Sequence, residues 1–195
     1  MSTFEHLSLK KLPSVPWKNG GGTTREIACS PHGATMADFD WRVSVADVNS
    51  DGAFSHFENI ERTIVLLDGA GMNLAHPSGA IVHALTTPLA PFTFAGETPF
   101  VAKIVNGACQ DFNVMTRRGA YAATVEVVTE NRLLSIAQNG VLLATRGRWT
   151  FQGNELNEGE CCVWRDSPPR SAQLVDDLKQ GGRALFVSIH RTIAR

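Results

Sequence analysis

Turn-forming pairs punctuate this chain from end to end and leave little room for a long helix. Asp68-Gly69-Ala70-Gly71, Ser78-Gly79, Ala95-Gly96, Asn106-Gly107, Arg118-Gly119, Asn139-Gly140, Gly153-Asn154 and Gly181-Gly182 separate short runs rich in Val, Ile, Thr, Phe and Leu. Glycine and asparagine tolerate left-handed backbone, so such pairs read as turns. The short β-branched and aromatic runs between them read as strands. Candidate strands are 24–29, 41–47, 63–67, 72–74, 81–85, 101–105, 111–115, 121–127, 133–136, 141–145, 149–151, 161–164 and 185–190. Residues 171–180 read alternatively as a short helix, and Ser167-Pro168-Pro169 as a rigid loop. The pattern predicts an all-β barrel or sandwich in two barrel-like halves. A weak internal echo agrees: 67–71 and 137–140 are each followed by strand, turn and an aromatic-Gly pair, Phe94-Ala95-Gly96 and Phe151-Gln152-Gly153.

Bulk composition removes several function classes. The 195 residues are 43% hydrophobic and 19% charged, which suits a compact globule of one large or two small domains. A net charge of −1 argues against a general nucleic-acid binder, which needs a basic footprint. No apolar run has the length of a membrane span, and MSTFEHLSLK lacks the basic and apolar blocks of a secretion signal. Cys29, Cys109, Cys161 and Cys162 form no CxxC pair, so reduced thiols in a cytoplasmic protein are expected.

Residues 16–28, PWKNGGGTTREIA, hold the densest chemistry. Gly20, Gly21 and Gly22 lie between Lys18 with Asn19 and Thr23-Thr24-Arg25-Glu26. Exposed amides beside two cations form an anion cradle; a hairpin turn with solvated neighbours is the alternative. Two later segments alternate in a chemically uneven way. In 38–48, DFDWRVSVADV, Trp41, Val43 and Val45 face one way and Arg42, Ser44 and Ala46 the other. In 110–119, QDFNVMTRRG, Phe112 and Val114 oppose Asp111, Asn113, Met115 and Arg117. The polar faces either meet water or line the interior of a small barrel and hold a polar ligand. Phe54 and Phe57 in DGAFSHF (51–57) make a lid or a plug.

Taken together, PWKNGGGTTREIA, DFDWRVSVADV, DGAFSHF, Arg62 before a buried strand, the 67–71 turn and DFNVMTRRG resemble the HutD/Ves family in order and spacing. The resemblance covers most of 1–125, and 126–195 fits in outline. It implies a cupin-type double-stranded β-barrel fold with two cupin-like barrels per chain, a bicupin, here expected as 1–125 and a smaller half at 126–195. It also implies a regulator that limits expression of histidine utilisation by binding an intermediate such as urocanate or formiminoglutamate. A metal-independent cupin enzyme acting on a small carboxylic acid, with Glu26 or Asp111 as base, is the alternative. A protein-interaction module is a third reading.

Many cupins bind metal through an HxH pair. Here His6, His32, His56, His76, His83 and His190 include no such pair, so neither metal nor other cofactor is expected. The carboxylate of either intermediate calls for charge-assisted donors, first Arg42 and Arg25, then Arg117 and Arg62, with Lys18 and the Asn19–Gly22 amides beside them. Glu26 and Asp111 would accept from the nitrogenous end, Asn113 and Thr24 would orient the ligand, and Met115 and Phe54 would flank its apolar middle. A bracing ion-pair network of Arg42, Arg25 and Glu26 is the competing reading. A small carboxylate is thus the expected partner, with neither nucleic acid nor membrane, and exposed sheet edges leave room for a homodimer.

Overall fold

The computed structural model describes residues 4–166, 171–176 and 181–192. Strand β1 (Phe4–Ser8) leads through a 3-10 turn at Leu9–Lys11 into β2 (Val15–Pro16), β3 (Gly22–Ser30), β4 (Trp41–Val48) and β5 (Gly52–Ala53). Then come β6 (Ile60–Asp68), β7 (Met72–Ala75), β8 (Ile81–Leu85), β9 (Pro91–Ala95), β10 (Val101–Ile104) and β11 (Cys109–Arg117). The remainder is β12 (Tyr121–Val128), β13 (Arg132–Ser135), β14 (Asn139–Arg146), β15 (Trp149–Phe151), β16 (Asn154–Leu156), β17 (Glu160–Trp164), β18 (Ser171–Asp176) and β19 (Arg183–Arg191). Among the described residues no helix is long and apolar enough to cross a membrane.

The chain divides into two compact units. Pro13–Ala120 holds a six-stranded sheet, β2-β3-β4-β11-β6-β9, and a four-stranded sheet, β5-β10-β7-β8. Val48, Ile64, Leu66 and Cys109 of the larger sheet share a buried cluster with Met72, Leu74, Leu85 and Ala102 of the smaller. That face of the larger sheet is therefore its inner face, and the two sheets form a sandwich. The other unit, Met1–Leu12 with Tyr121–Arg195, pairs β1-β17-β14-β19-β12 with β13-β18-β15-β16. Its core is aromatic: Trp149, Phe151, Trp164 and Phe186 are buried together. The boundary lies at Ala120/Tyr121, not 125/126. The first residues go with the C-terminal unit because β1 is paired along its length with β17, from Phe4↔Trp164 to Ser8↔Glu160.

Raising each strand number by eight converts β4-β11-β6-β9 and β5-β10-β7-β8 into β12-β19-β14-β17 and β13-β18-β15-β16. The same eight-strand topology thus occurs twice. It corrects the register of the sequence echo. The turn after β6 corresponds to the one after β14, Arg146-Gly147-Arg148, and not to 137–140. Asn139-Gly140 is no turn but the start of β14. A Cβ at Gly140 would collide with the Val187 carbonyl and the Trp164 indole, so glycine is there for close packing. Residues 171–176 are strand, not helix, since pairing with β13 and β15 overrides local preference. Residues 177–180 and Ser167-Pro168-Pro169 lie outside the described residues. The short strands β1, β2, β5, β9 and β16 carry no alternation strong enough to read from sequence.

All four cysteines are free and buried. Burial pushes Cys161 and Cys162 up to about 12 and Cys109 to about 11. Native protein is therefore expected to resist a thiol-specific disulfide reagent at pH 8, with four thiols per chain reacting after denaturation. Fast native labelling would contradict this packing.

Candidate functional site

In the larger sheet of Pro13–Ala120, register decides which side chains share the inner face. Asp111, Asn113 and Met115 on β11 stand opposite Ala46, Ser44 and Arg42 on β4 and opposite Leu66, Ile64 and Arg62 on β6. On β3, Thr24 and Glu26 are level with Ala46 and Ser44. Opposed residues of paired strands point the same way, and Leu66 and Ile64 belong to the core between the sheets. Glu26, Arg42, Arg62, Asp111, Asn113 and Met115 are therefore brought to one face of the sheet, with Arg62, Asp111, Asn113 and Met115 buried and Glu26 exposed at its margin.

Two hydrogen-bonded groups form there. Arg42 Nε donates to Glu26 Oε2 at 2.7 Å and Nη1 donates to Ser44 Oγ at 3.1 Å. Arg62 Nη2 donates to Asn113 Oδ1 at 2.7 Å, and Asn113 Nδ2 donates to Asp111 Oδ1. Arg62, Asp111 and Asn113 are all buried. Arg62 Nε is buried without a partner. Among the described residues no carboxylate lies within ion-pair distance of its guanidinium; Asp111 is reached only through Asn113. Three rings surround this cation, with centroids 4.9 Å (Phe54), 5.6 Å (Phe57) and 5.2 Å (Phe94) from Arg62 Cζ. Such faces stabilise a cation without neutralising it.

Burial lowers Arg62 to about 10, aided by the Arg42 charge and opposed by Asp111. Burial likewise raises Asp111 to about 7, against the pull of Arg62 and the Asn113 hydrogen bond. Each shift has desolvation as its main cause. The carboxyl, poised near neutrality, thus lies two hydrogen bonds from an under-neutralised arginine whose charge acts on it.

Other expected site residues lie elsewhere. Arg25 is level with Val45, so it occupies the opposite face of the sheet, where it ion-pairs with Asp47. Asp47 also accepts from Thr23 Oγ1 at 3.1 Å and Gln110 Nε2 at 2.7 Å. Arg117, at the end of β11, donates to the Phe39 carbonyl at 2.7 Å and lies 3.8 Å from Asp40. Thr24 Oγ1 accepts from Trp17 Nε1 at 2.7 Å. Met115 packs with Phe39 and Ile60. Phe54 is half-buried and meets Phe94 edge-on.

The glycine run is a packed turn and not an anion cradle. Gly20 N–H donates to the Trp17 carbonyl at 3.0 Å and Gly21 N–H to Asn19 Oδ1 at 3.0 Å. A Cβ at Gly22 would collide with the Asp47 carbonyl. Lys18 is exposed beside this turn.

Ser44, Phe57 and Phe94 were not among the expected site residues. The β4 alternation places Ser44 beside Arg42, and a lid reading covers Phe57. Phe94 reaches Arg62 only through the β6–β9 pairing, which leaves no local signal. Phe57 also lines a cavity of about 190 Å³ with Phe39, Ile60 and Arg117. A larger cavity, about 310 Å³, adjoins His76, Ile81 and Lys103. Its lysine is exposed and already engages Asp51 at 3.2 Å. Among the described residues no group of three or more His, Cys, Asp or Glu is placed to hold a metal ion.

Across the equivalent strands of the other unit runs a tier Thr124, Ser188, Gly140, Trp164, against Arg42, Met115, Arg62, Phe94 here. It carries no charge. Trp164 occupies it, stacked on Phe186 at 5.8 Å.

Comparison with known proteins agrees with this architecture. The HutD family model matches residues 9–184. Protein Ves of Cronobacter sakazakii is 35% identical over 187 residues, covering 95% of this chain and 98% of that protein. The solved structure of HutD from Pseudomonas fluorescens SBW25 in a formate condition superposes with a TM-score of 0.85 at 26% identity, covering 97% of this chain and 100% of that one. The bacterial pirin YhhW of Escherichia coli, in complex with nickel(II), gives a TM-score of 0.62 at 10% identity over 97% of this chain and 100% of its own, a likeness of fold alone. The architecture is thus an all-β, cupin-like one. By a family match that spans nearly its whole length, and by a curated relative more than one-third identical to it, this chain belongs to the HutD family.

Proposed function

We propose that this protein is a small-molecule-binding regulator of histidine utilisation that holds the carboxylate of an intermediate such as urocanate or formiminoglutamate at Arg62 and so limits pathway expression. One observation carries the reading: Arg62 is a buried cation with an unpartnered Nε and no carboxylate at ion-pair distance among the described residues. A desolvated charge without its counter-ion is costly, and a ligand anion is the missing partner. Arg42 adds positive potential from β4, on the far side of β11, although Glu26 already engages its Nε. Phe54 and Phe57 cover the guanidinium, so entry requires them to swing aside. The histidine-utilisation setting rests on family resemblance, free thiols suit the cytoplasm, and near-zero net charge favours action through a metabolite or protein and not through DNA.

The repeated eight-strand topology supports reading the chain as a bicupin with one binding and one structural barrel. The aromatic core of the second unit leaves a single ligand per chain. Titration calorimetry with urocanate and formiminoglutamate tests both points. One equivalent of ligand is expected to bind. Arg42→Ala is expected to weaken it by about 1 kcal/mol, roughly fivefold, because Arg42 is already neutralised by Glu26. Absence of binding by both compounds would sink the proposal.

A metal-independent enzyme acting on a small carboxylic acid has one observation in its favour. Asp111, raised to about 7, suits general acid–base work. Following each compound by proton NMR in the presence of protein separates the readings, since a binder leaves both unchanged.

A further inference from the structure

We propose that anion binding at this site is coupled to proton uptake by Asp111, through the relay Arg62–Asn113–Asp111. The inference rests on the carboxylate reading above and adds a proton to it. The relay is continuous: Arg62 Nη2 donates to Asn113 Oδ1, and Asn113 Nδ2 donates to Asp111 Oδ1. All three side chains are buried, so water does little to screen one charge from the other.

The groups acting on Asp111 are few. Arg62 from β6 favours its ionised form, as does the Asn113 hydrogen bond on its own strand. Asp47 from β4 and burial itself oppose ionisation. Cys109, two positions earlier, is a neutral thiol. Arg42, paired to Glu26, acts on Arg62 from the same tier, across β11. Arg62 is thus the principal positive charge that keeps Asp111 ionised. A ligand carboxylate on Arg62 cancels that field and adds a second negative charge to the same interior. Two carboxylates that share a buried site resist joint ionisation. A proton then passes from water to the Asp111 carboxyl, to the oxygen that Asn113 does not hold. Between the Asp111 midpoints of the free and ligand-bound protein, up to one proton is taken up for each anion bound.

The sign follows from linkage. Below the Asp111 midpoint of the free protein, near 7, the carboxyl is protonated with or without ligand, and affinity does not vary with pH through this group. As pH rises from there towards the higher midpoint of the complex, each pH unit weakens binding by up to about tenfold. The ligand class follows: an anionic carboxylate whose other end tolerates a neutral carboxylic acid, and for which a fall in pH acts as a signal to bind.

Carboxyl carbon NMR of the whole chain, with Asp111→Asn to assign the resonance, tests this using formate first and urocanate second. Saturating ligand is expected to move the Asp111 midpoint upward by about one unit or more, while the Arg62 Nε–H resonance shifts to report occupancy. Arg62→Met, without ligand, is expected to move the midpoint the same way. An Arg62 resonance that shifts while the Asp111 midpoint stays put overturns the coupling but leaves the carboxylate site standing. An Arg62 resonance that neither compound moves removes the site, and the coupling with it.

Discussion

Arg62→Met is expected to reduce affinity for urocanate or formiminoglutamate by roughly ten- to a hundredfold, the equivalent of about 1.5–3 kcal/mol for hydrogen bonds to a charged group. It is expected to leave stability within about 1 kcal/mol of wild type. These outcomes separate because the residue is badly placed for stability. Its guanidinium is buried, its Nε has no partner, and among the described residues no contacting carboxylate matches its charge. Replacing a poorly compensated buried charge with an apolar side chain of similar length is commonly neutral or stabilising. Methionine also packs well against rings such as Phe54, Phe57 and Phe94. The opposing cost is the Asn113 carbonyl, which loses its donor. Calorimetry and urea denaturation on the same sample decide the matter. A variant that binds normally but unfolds several kcal/mol more easily would make Arg62 a brace and not a ligand. Arg62→Lys should restore part of the binding, since an ammonium supplies charge without the planar fork.

Trp164→Ala is expected to cost about 3–5 kcal/mol, the usual loss when a buried aromatic is truncated to alanine. Trp164 is 1% exposed and lies among Phe4, Phe151 and Phe186, with ring centroids at 5.9, 5.8 and 5.8 Å. Its Nε1 donates to the Ala137 carbonyl at 3.0 Å, and truncation leaves that acceptor without its donor. The shape of β14 shows how closely the ring is fitted, since Gly140 beneath it leaves no space for a Cβ. Urea denaturation measures the loss. A change under 1 kcal/mol would mean that the second unit tolerates a void where the topologically equivalent tier of the first unit holds charge. That result would also weaken the assignment of one ligand per chain, because a loosely filled interior has room for a guest.

Part of this site was legible in the linear order of residues. Strand periodicity is local, so the alternation of β4 and β11 put Arg42 with Ser44 and Asp111 with Asn113 on faces of their own before any fold was known. The turn pairs are local too, and so was the all-β class. What escaped depends on partners distant in sequence. Arg25 and Arg42 look equivalent along the chain. Pairing sets Arg25 level with Val45 on one face and Arg42 level with Met115 on the other. The glycine run looks like a cradle until its amides are found committed to Trp17 and Asn19.

The sequence by itself determined the class of fold, most strand positions and the chemistry on each strand face, because period-two alternation and turn geometry are properties of neighbouring residues. Only the tertiary structure decided that Arg62, fourth in order among the expected arginines, is a buried charge without a counter-ion among the described residues. It meets Asn113 from 51 positions away and Phe94 from a third strand. Hydrogen-bond register between non-consecutive strands, and the desolvation it imposes, are set by the packed sheet as a whole, and no window of residues contains them.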